Sequence, residues 1–138
     1  MLKIGTDLDG VIACNSLNVV DYRPFKLHEY YSHCKPTKLS KMPIDVIVTG
    51  RKLHFRKLTE RWLRLHGVNY KELIMFPNKI KKTNESLAKY KAETINRLGI
   101  EVYFEDDQRI GEQMKKICLN TKIILVETPI KKVNLREI

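Results

Sequence analysis

Five short apolar runs divide the chain, and each has the length and composition of a β-strand. The runs cover residues 2–6, 45–49, 72–76, 101–104 and 122–126. The last of them, within KIILVE, is continuously apolar, which is typical of a strand covered on both faces. The pattern therefore predicts five strands.

Three stretches between the later runs repeat their apolar residues at helical spacing. In the first, Phe55, Leu58, Trp62 and Leu65 are three, four and three residues apart, so they form one stripe on a helix. Basic and acidic side chains fill the opposite face. A glycine, Gly67, is expected to end this helix.

Two further helices follow from the same spacing and from their end signals. One begins at Thr83 or Asn84 and stops at Gly99, and the other is marked by Ile110 and Met114. Strands that alternate with helices are typical of βαβ units. We therefore predict an α/β fold with a parallel sheet.

Residues 14–43 show no clean period and are rich in tyrosine, histidine and proline. They predict an irregular insert with one short helix. The chain has no repeat or low-complexity linker, and its 138 residues suffice for one domain with a core. We expect a single domain over residues 1–138 that carries this insert.

Composition excludes several classes of protein. Apolar residues make up 43% of the chain and charged residues 30%, which is a globular balance rather than that of a disordered chain. No apolar run is long enough to cross a bilayer, and acids appear too early for a signal peptide. The three cysteines form an odd set without a CxxC pair, so we expect no disulfide framework and a cytoplasmic location.

The net charge is +10, from 26 Lys and Arg against 16 Asp and Glu. Such a charge favours a phosphate-rich partner, for example the end of a nucleic acid. It is equally typical of a basic protein whose charges are simply solvated. Charge alone does not separate the two interpretations.

Chemically active side chains follow the predicted strands at the points where ligands gather in parallel sheets. An acid pair follows the first strand, a threonine the second and a further acid pair the fourth, and a lysine lies on the helix before the fourth strand: Asp7, Asp9, Thr49, Asp106, Asp107 and Lys91. Each alone is equally compatible with a turn, a helix cap or a surface residue. Clustered carboxylates repel, however, so the set predicts a bound cation, and its oxygen ligands suit Mg²⁺.

In order, the segments DLDGV, VIVTGR, YKAETINRLGI and FEDD resemble the four motifs of the haloacid-dehalogenase-type (HAD) phosphohydrolase superfamily. The resemblance covers roughly residues 2–126. It implies a Rossmann-like three-layer sandwich with strand order 5-4-1-2-3. The stretch TGRKLHFRKLTERWLRLHGV followed by LIMFPN is also similar to the phosphatase half of phage-type polynucleotide kinase-phosphatases and to small nucleotidases. No GxxxxGK[ST] kinase loop is present.

The resemblance implies a role for each residue. Asp7 would be the nucleophile that forms an aspartyl-phosphate, and Asp9 the general acid and then base. Thr49 would donate to the phosphoryl oxygens, and Lys91 would balance charge. The implied metal set is Asp7, Asp9, Asp106 and Asp107, with Asp107 as the preferred direct ligand.

Further contacts with the substrate are expected beyond the second and third strands. Gly50, Arg51 and Arg56 are the candidates for phosphate binding, and His54 and three lysines between residues 79 and 82 are candidates for contacts with a phosphate backbone. A tyrosine of the insert, Tyr30 or Tyr31, is a candidate for stacking on a base. Solvated rim residues and core tyrosines are the competing interpretation.

The predicted function is a Mg²⁺-dependent phosphatase that acts on a nucleic-acid terminal phosphate. The gap between the first two motifs leaves room only for a minimal cap, and an open site admits large substrates. A free nucleotide is the alternative substrate, and a non-catalytic binding module the alternative function. A receiver domain is disfavoured because it needs an acid after the third strand, where the chain reads MFPN, and a Toprim nuclease because no acid precedes Asp7.

Overall fold

The computed structural model describes residues 1–14 and 24–127, with no side-chain detail at residues 24 and 25. Its centre is a five-stranded parallel sheet with strands β1 Ile4–Thr6, β2 Ile44–Lys52, β3 Tyr70–Phe76, β4 Val102–Glu105 and β5 Lys122–Leu125. The strand order β3-β2-β1-β4-β5 is the expected 5-4-1-2-3 order read from the other edge. The α/β class and the parallel sheet are thereby confirmed.

Helices cover both faces of this sheet and give three layers. They are α1 Pro24–His33, α2 Arg56–Leu65, α3 Asn84–Leu98 and α4 Gln108–Ile117. One core cluster joins α1 and α2 to the sheet around Ile47 and Trp62, and a second joins α3 and α4 around Val48 and Ile95. Because successive residues of β2 point to opposite faces, Ile47 and Val48 belong to different cores.

The predicted helix ends hold where local chemistry fixes them. Thr83 caps α3 by accepting a hydrogen bond from the backbone of Ser86, and Gly99 ends the helix in the left-handed conformation, with φ of 66°. Gly67 follows α2 with φ of 63°. Side-chain capping and left-handed glycines satisfy backbone groups that a helix leaves unpaired at its ends.

Two expectations need correction or restriction. The fifth strand is not covered on both faces, because it lies at the edge of the sheet and only Ile123 of its four residues is buried. The expected insert contains the predicted short helix, α1, and a 3-10 turn at Lys38–Lys41, while its residues 15–23 lie outside the described part of the chain.

Two further observations concern cysteines and membranes. The three cysteines are all free thiols. In the described ranges 1–14 and 24–127, the helices are too short or too polar to cross a bilayer.

Candidate active site

The carboxyl ends of β1, β2 and β4 meet at one edge of the sheet, because the strands are parallel neighbours. A cavity of about 290 Å³ opens there. Its charged lining comes from the residues at the ends of β1, β2 and β4, from α3 and from the segment just before α3: Asp7, Asp9, Arg51, Lys82, Lys91, Glu105, Asp106 and Asp107. The tertiary structure thus brings together residues that are up to a hundred positions apart in sequence.

Asp7, Glu105 and Asp106 form the acidic centre of this cavity. One carboxylate oxygen from each lies within 4.8 Å of the other two, close enough to share a metal ion. Asp7 and Glu105 are almost completely buried. Three oxygen ligands of this kind suit Mg²⁺, which keeps water or substrate oxygens in its remaining positions.

Lys91 provides positive charge beneath this acidic centre. Its Nζ lies 3.2 Å from Asp7 Oδ1 and 2.8 Å from Glu105 Oε1. Burial opposes the charged form of the lysine, but the two carboxylates outweigh that effect and raise the pKa of Lys91. Tyr103 closes the same region from below, where burial raises the pKa of its hydroxyl.

The charge of Asp7 is not fully balanced within the protein. Burial raises the pKa of Asp7 well above its usual range, and the nearby carboxylate of Glu105 raises it further. Lys91 acts in the opposite direction without cancelling these effects. The backbone N–H of Leu8 donates to Asp7 Oδ1 at 2.7 Å and fixes the carboxylate in the cavity. A divalent cation would favour the ionised form that a nucleophile needs.

The negative charge of Asp9 is balanced by a guanidinium. Arg51 donates to both of its carboxylate oxygens, from Nε to Oδ2 at 2.9 Å and from Nη2 to Oδ1 at 2.8 Å. This two-point geometry is the strongest form of a guanidinium–carboxylate contact. Tyr31 covers the guanidinium, with Cζ 3.9 Å from the ring centroid, and Thr59 accepts a further hydrogen bond from it.

A glycine allows the two acid pairs to approach each other. Gly10 has φ of 88°, a left-handed conformation that favours glycine, in the turn where Leu8 O accepts the N–H groups of residues 11–13. A Cβ at this position would overlap the carboxylate of Asp106. The glycine of the DLDG segment is therefore required for Asp106 to reach the cavity.

The two acids after β4 have different positions. Asp107 caps α4, because its Oδ1 accepts the N–H groups of Arg109 and Ile110. Asp106, not Asp107, joins Asp7 and Glu105 in the cluster that is suited to a metal ion. Our preference for Asp107 as the direct ligand therefore has no support from this geometry, although Asp107 still lines the cavity.

Sequence reasoning gave no role to Glu105. Its Oε1 accepts a hydrogen bond from Lys91, and its Oε2 accepts the backbone N–H groups of Asp106 and Asp107. The side chain thus orients both the lysine and the following acids. Strand alternation was an available signal, since Glu105 falls on the same face of β4 as the buried Tyr103.

Of the other residues predicted to contact the phosphate, some line the cavity and some do not. Gly50 and Arg51 line the cavity, whereas Thr49 is buried and its Oγ1 accepts the N–H of Arg51. Arg56 does not reach the cavity, because it donates to Leu73 O and pairs with Glu60 on the surface of α2. Its role in phosphate binding stays a prediction that this conformation does not support.

The predicted tyrosines are engaged in packing. Tyr31 is buried, with one face against Arg51 and an edge contact to Phe55 at 5.1 Å between ring centroids. Tyr30 lines the cavity and donates its hydroxyl to Cys14 O. For Tyr31, packing in the core is therefore a better interpretation than stacking on a base.

Sequence comparison with protein-family models finds no match, and no curated protein matches the chain at a significant level. Solved structures do share the fold. A chain in the "Structure of the Pnkp1/Rnl/Hen1 RNA repair complex" has a TM-score of 0.70 at 16% identity, over 91% of this chain and 42% of that chain. A chain in the "Structure of Pnkp1/Rnl/Hen1 complex" has a TM-score of 0.66 at 18% identity, over 91% and 45%. The chain spans less than half the length of either neighbour. At identities this low, the likeness shows a common fold and nothing further.

Proposed function

We propose that this chain is an HAD-type phosphomonoester hydrolase that uses Mg²⁺ and acts on a nucleic-acid terminal phosphate. One observation carries the proposal: a buried Asp7 lies within metal-sharing distance of Glu105 and Asp106 and in contact with Lys91. The combination of a nucleophilic carboxylate, a cation site and a lysine is what phosphoryl transfer requires.

The donor set fits a hard divalent cation. Asp7, Glu105 and Asp106 would hold Mg²⁺, with Asp9 and Asp107 at the border of the same cavity. Such an ion supplies charge neutralisation for the phosphoryl oxygens. The fit also explains why the protein tolerates a buried Asp7 beside two other carboxylates, since a bound cation offsets their repulsion.

In the first chemical step, an oxygen of Asp7 attacks the phosphorus atom and the bond from phosphorus to the leaving oxygen breaks. The products of this step are an aspartyl-phosphate and an alcohol, whose oxygen takes a proton from Asp9. Lys91 stabilises negative charge on the phosphoryl oxygens. Arg51 donates to both carboxylate oxygens of Asp9, so one of these two hydrogen bonds must break before Asp9 can carry this proton.

In the second step, Asp9 accepts a proton from a water molecule, and the water oxygen attacks phosphorus. The bond from phosphorus to Asp7 breaks, which releases inorganic phosphate and restores the carboxylate. Asp9 thus acts first as acid and then as base, as microscopic reversal of the proton transfer demands.

Three facts favour a nucleic-acid end as substrate. The net charge is +10, one structural neighbour is a chain of an RNA repair complex, and the described part of the insert contributes one short helix and a 3-10 turn. A basic surface attracts polyanions, and a site without a large lid admits them. A free nucleotide remains the alternative substrate.

The test measures phosphate release by the full chain with Mg²⁺ from three substrates: a phosphorylated oligonucleotide, a mononucleotide and p-nitrophenyl phosphate. We expect hydrolysis that chelation of Mg²⁺ abolishes, with the oligonucleotide as the best substrate. Release from none of the three would contradict the proposal. Oligonucleotide binding without any turnover would instead support a non-catalytic binding module.

A further inference from the structure

A second cavity, of about 620 Å³, adjoins the acidic one and lies beyond the ends of β2 and β3. The two cavities share five lining residues, among them Lys82 and Tyr31, so they form one continuous cleft. Lys82 lies where the cavities meet. A phosphate group over Asp7 would therefore have the rest of its molecule directed into either solvent or this second cavity.

The charge of the cleft changes sign along its length. Five acids and three basic side chains line the first cavity, whereas the described lining of the second contains Lys52, His54 and Lys82 and no acid. A mononucleotide whose only phosphate lies over Asp7 would offer no second phosphate to Lys52. A polynucleotide places its next phosphodiester at that end of the cleft, so the charge pattern complements a chain rather than a single nucleotide.

The two ammonium groups are held in place and still have donor capacity. Lys52 Nζ donates to the carbonyl oxygens of Asn78 and Ile80, at 3.1 and 2.9 Å. Lys82 Nζ donates to Gly50 O at 2.8 Å. An ammonium has three N–H bonds, so within the described ranges both lysines can donate to a phosphate oxygen without losing these contacts.

An aromatic ring stands at the outer end of the same cavity. His54 is exposed, and its ring lies 4.2 Å from that of Phe55, between centroids. Asn78 Oδ1 holds it through the backbone N–H of His54 at 2.9 Å and lies 3.1 Å from Nδ1. A fixed, exposed imidazole offers a surface on which a nucleobase can stack.

We propose that this second cavity is the subsite for the nucleotide next to the phosphate-bearing end of a single-stranded polynucleotide. Lys52 and Lys82 contact its phosphodiester, and His54 stacks on its base. The inference rests on the proposed function, since it assumes that the terminal phosphate occupies the acidic cavity. It adds the feature that separates polynucleotide ends from mononucleotides as substrates.

The experiment compares kcat/KM for a short single-stranded oligonucleotide, phosphorylated at either end, with that for p-nitrophenyl phosphate. The variants are Lys52→Gln, Lys52→Arg and His54→Ala, with Lys116→Gln on the exposed surface of α4 as the charge-matched control. Circular dichroism verifies that each variant is folded. The ratio of the two kcat/KM values isolates the subsite, because any general damage affects both substrates.

We expect Lys52→Gln to lower this ratio about tenfold and to reduce the slope of log(kcat/KM) against log salt for the oligonucleotide by about one. Lys52→Arg should retain both the ratio and the slope. His54→Ala should lower the ratio by about fivefold or more without altering the slope, because stacking is not ionic. Lys116→Gln should change none of these quantities.

The inference is overturned if Lys52→Gln and Lys116→Gln behave alike, or if mononucleotide and oligonucleotide have equal kcat/KM. In that case hydrolysis of p-nitrophenyl phosphate would still uphold the phosphatase. If no substrate is hydrolysed, the proposed function fails, and the subsite is tested by the binding of a labelled oligonucleotide at low salt. Equal affinity of wild type and Lys52→Gln in that assay would reject the subsite as well.

Discussion

Asp7 and Asp9 are separated by one residue, but they lie on two sides of the cavity with opposite charge balance. On the Asp7 side, three carboxylates lie together, and Lys91 contacts two of them, those of Asp7 and Glu105. On the Asp9 side, one carboxylate meets one guanidinium, that of Arg51. The side chain of Asp7 is 8% exposed, and that of Asp9 is 24% exposed.

The difference predicts that the Asp7 side, and not the Asp9 side, depends on a ligand. The Asp9 side is a complete ion pair, and it contributes to the stability of the folded chain. We call the Asp7 side incomplete, because burial and Glu105 raise the pKa of Asp7 more than Lys91 lowers it. Local charge imbalance in a buried cluster is a typical mark of a functional site. The predictions below test this contrast, from the largest expected effect to the smallest.

The largest effect is expected for Asp7→Asn, which removes the proposed nucleophile from the incomplete side. Turnover of every phosphomonoester substrate should fall by about 10⁴-fold or more, because the remaining groups cannot form the covalent intermediate. The measurement is phosphate release at saturating substrate. A variant that retains a tenth of the wild-type rate would show that Asp7 is not the nucleophile.

Loss of the partner on the complete side should instead cost stability. We expect Arg51→Ala to lower the free energy of unfolding by about 3 kcal/mol, because it breaks a largely buried ion pair and leaves Asp9 without its counter-charge. Denaturant unfolding measures this change. The matched control is Arg56→Ala, whose pair with Glu60 is exposed and should be worth no more than about 1 kcal/mol. Equal losses for both variants would contradict the contrast.

Magnesium should stabilise the Asp7 side. We expect saturating Mg²⁺ to raise the free energy of unfolding by about 1–3 kcal/mol, and Asp106→Asn to remove most of that gain. Thermal unfolding with and without a chelator measures it. A Tm that does not respond to Mg²⁺ in the wild type would rule out a cation site of useful affinity.

The magnesium effect should increase with pH. Burial and Glu105 raise the pKa of Asp7 above its unfolded value, so the folded, metal-free protein binds more protons there than the unfolded chain. The metal-free protein therefore loses stability as pH rises from the unfolded pKa of the Asp7 carboxyl to its raised pKa in the folded state. Protons also compete less with Mg²⁺ for the carboxylates at higher pH. The stabilisation at about pH 8 should exceed that at about pH 5. The raised pKa of Lys91 keeps the lysine charged throughout.

The smallest effects are expected on the stability of two conservative variants, measured without metal. Asp7→Asn should stabilise the metal-free protein by about 1 kcal/mol, because it relieves repulsion while Lys91 keeps Glu105 as a partner. Asp9→Asn should destabilise it by about 1 kcal/mol, because Arg51 loses its counter-charge. Chelated samples in denaturant unfolding provide both values. The same sign for both variants would show that the two sides are alike.

Much of the fold followed from local rules. The apolar runs predicted the strands to within a few residues, and Thr83, Gly67 and Gly99 predicted helix ends. Alternation of strands and helices predicted the parallel sheet. These features depend on residues that are close together in sequence, where periodicity and turn chemistry act directly. The parallel sheet in turn placed both acid pairs at one edge, because the carboxyl ends of parallel strands lie together.

The finer arrangement of the site did not follow from local rules. Which of Asp106 and Asp107 turns into the cavity depends on where α4 begins, since the capping residue directs its carboxylate to the helix. That Arg51 pairs with Asp9 depends on the packing of α1, which places Tyr31 over the guanidinium. The contact between Arg51 and Asp9 leaves no pattern in the local sequence.

The sequence by itself determined the elements, their order and the residue types at the ends of the strands. Only the tertiary structure decided which charges face each other, how deeply Asp7 is buried, and that a basic cavity continues from the acidic one. The physical reason is range. Hydrophobic periodicity and capping act within a few residues, whereas the energy of a buried charge depends on every group that the fold brings within several ångströms of it.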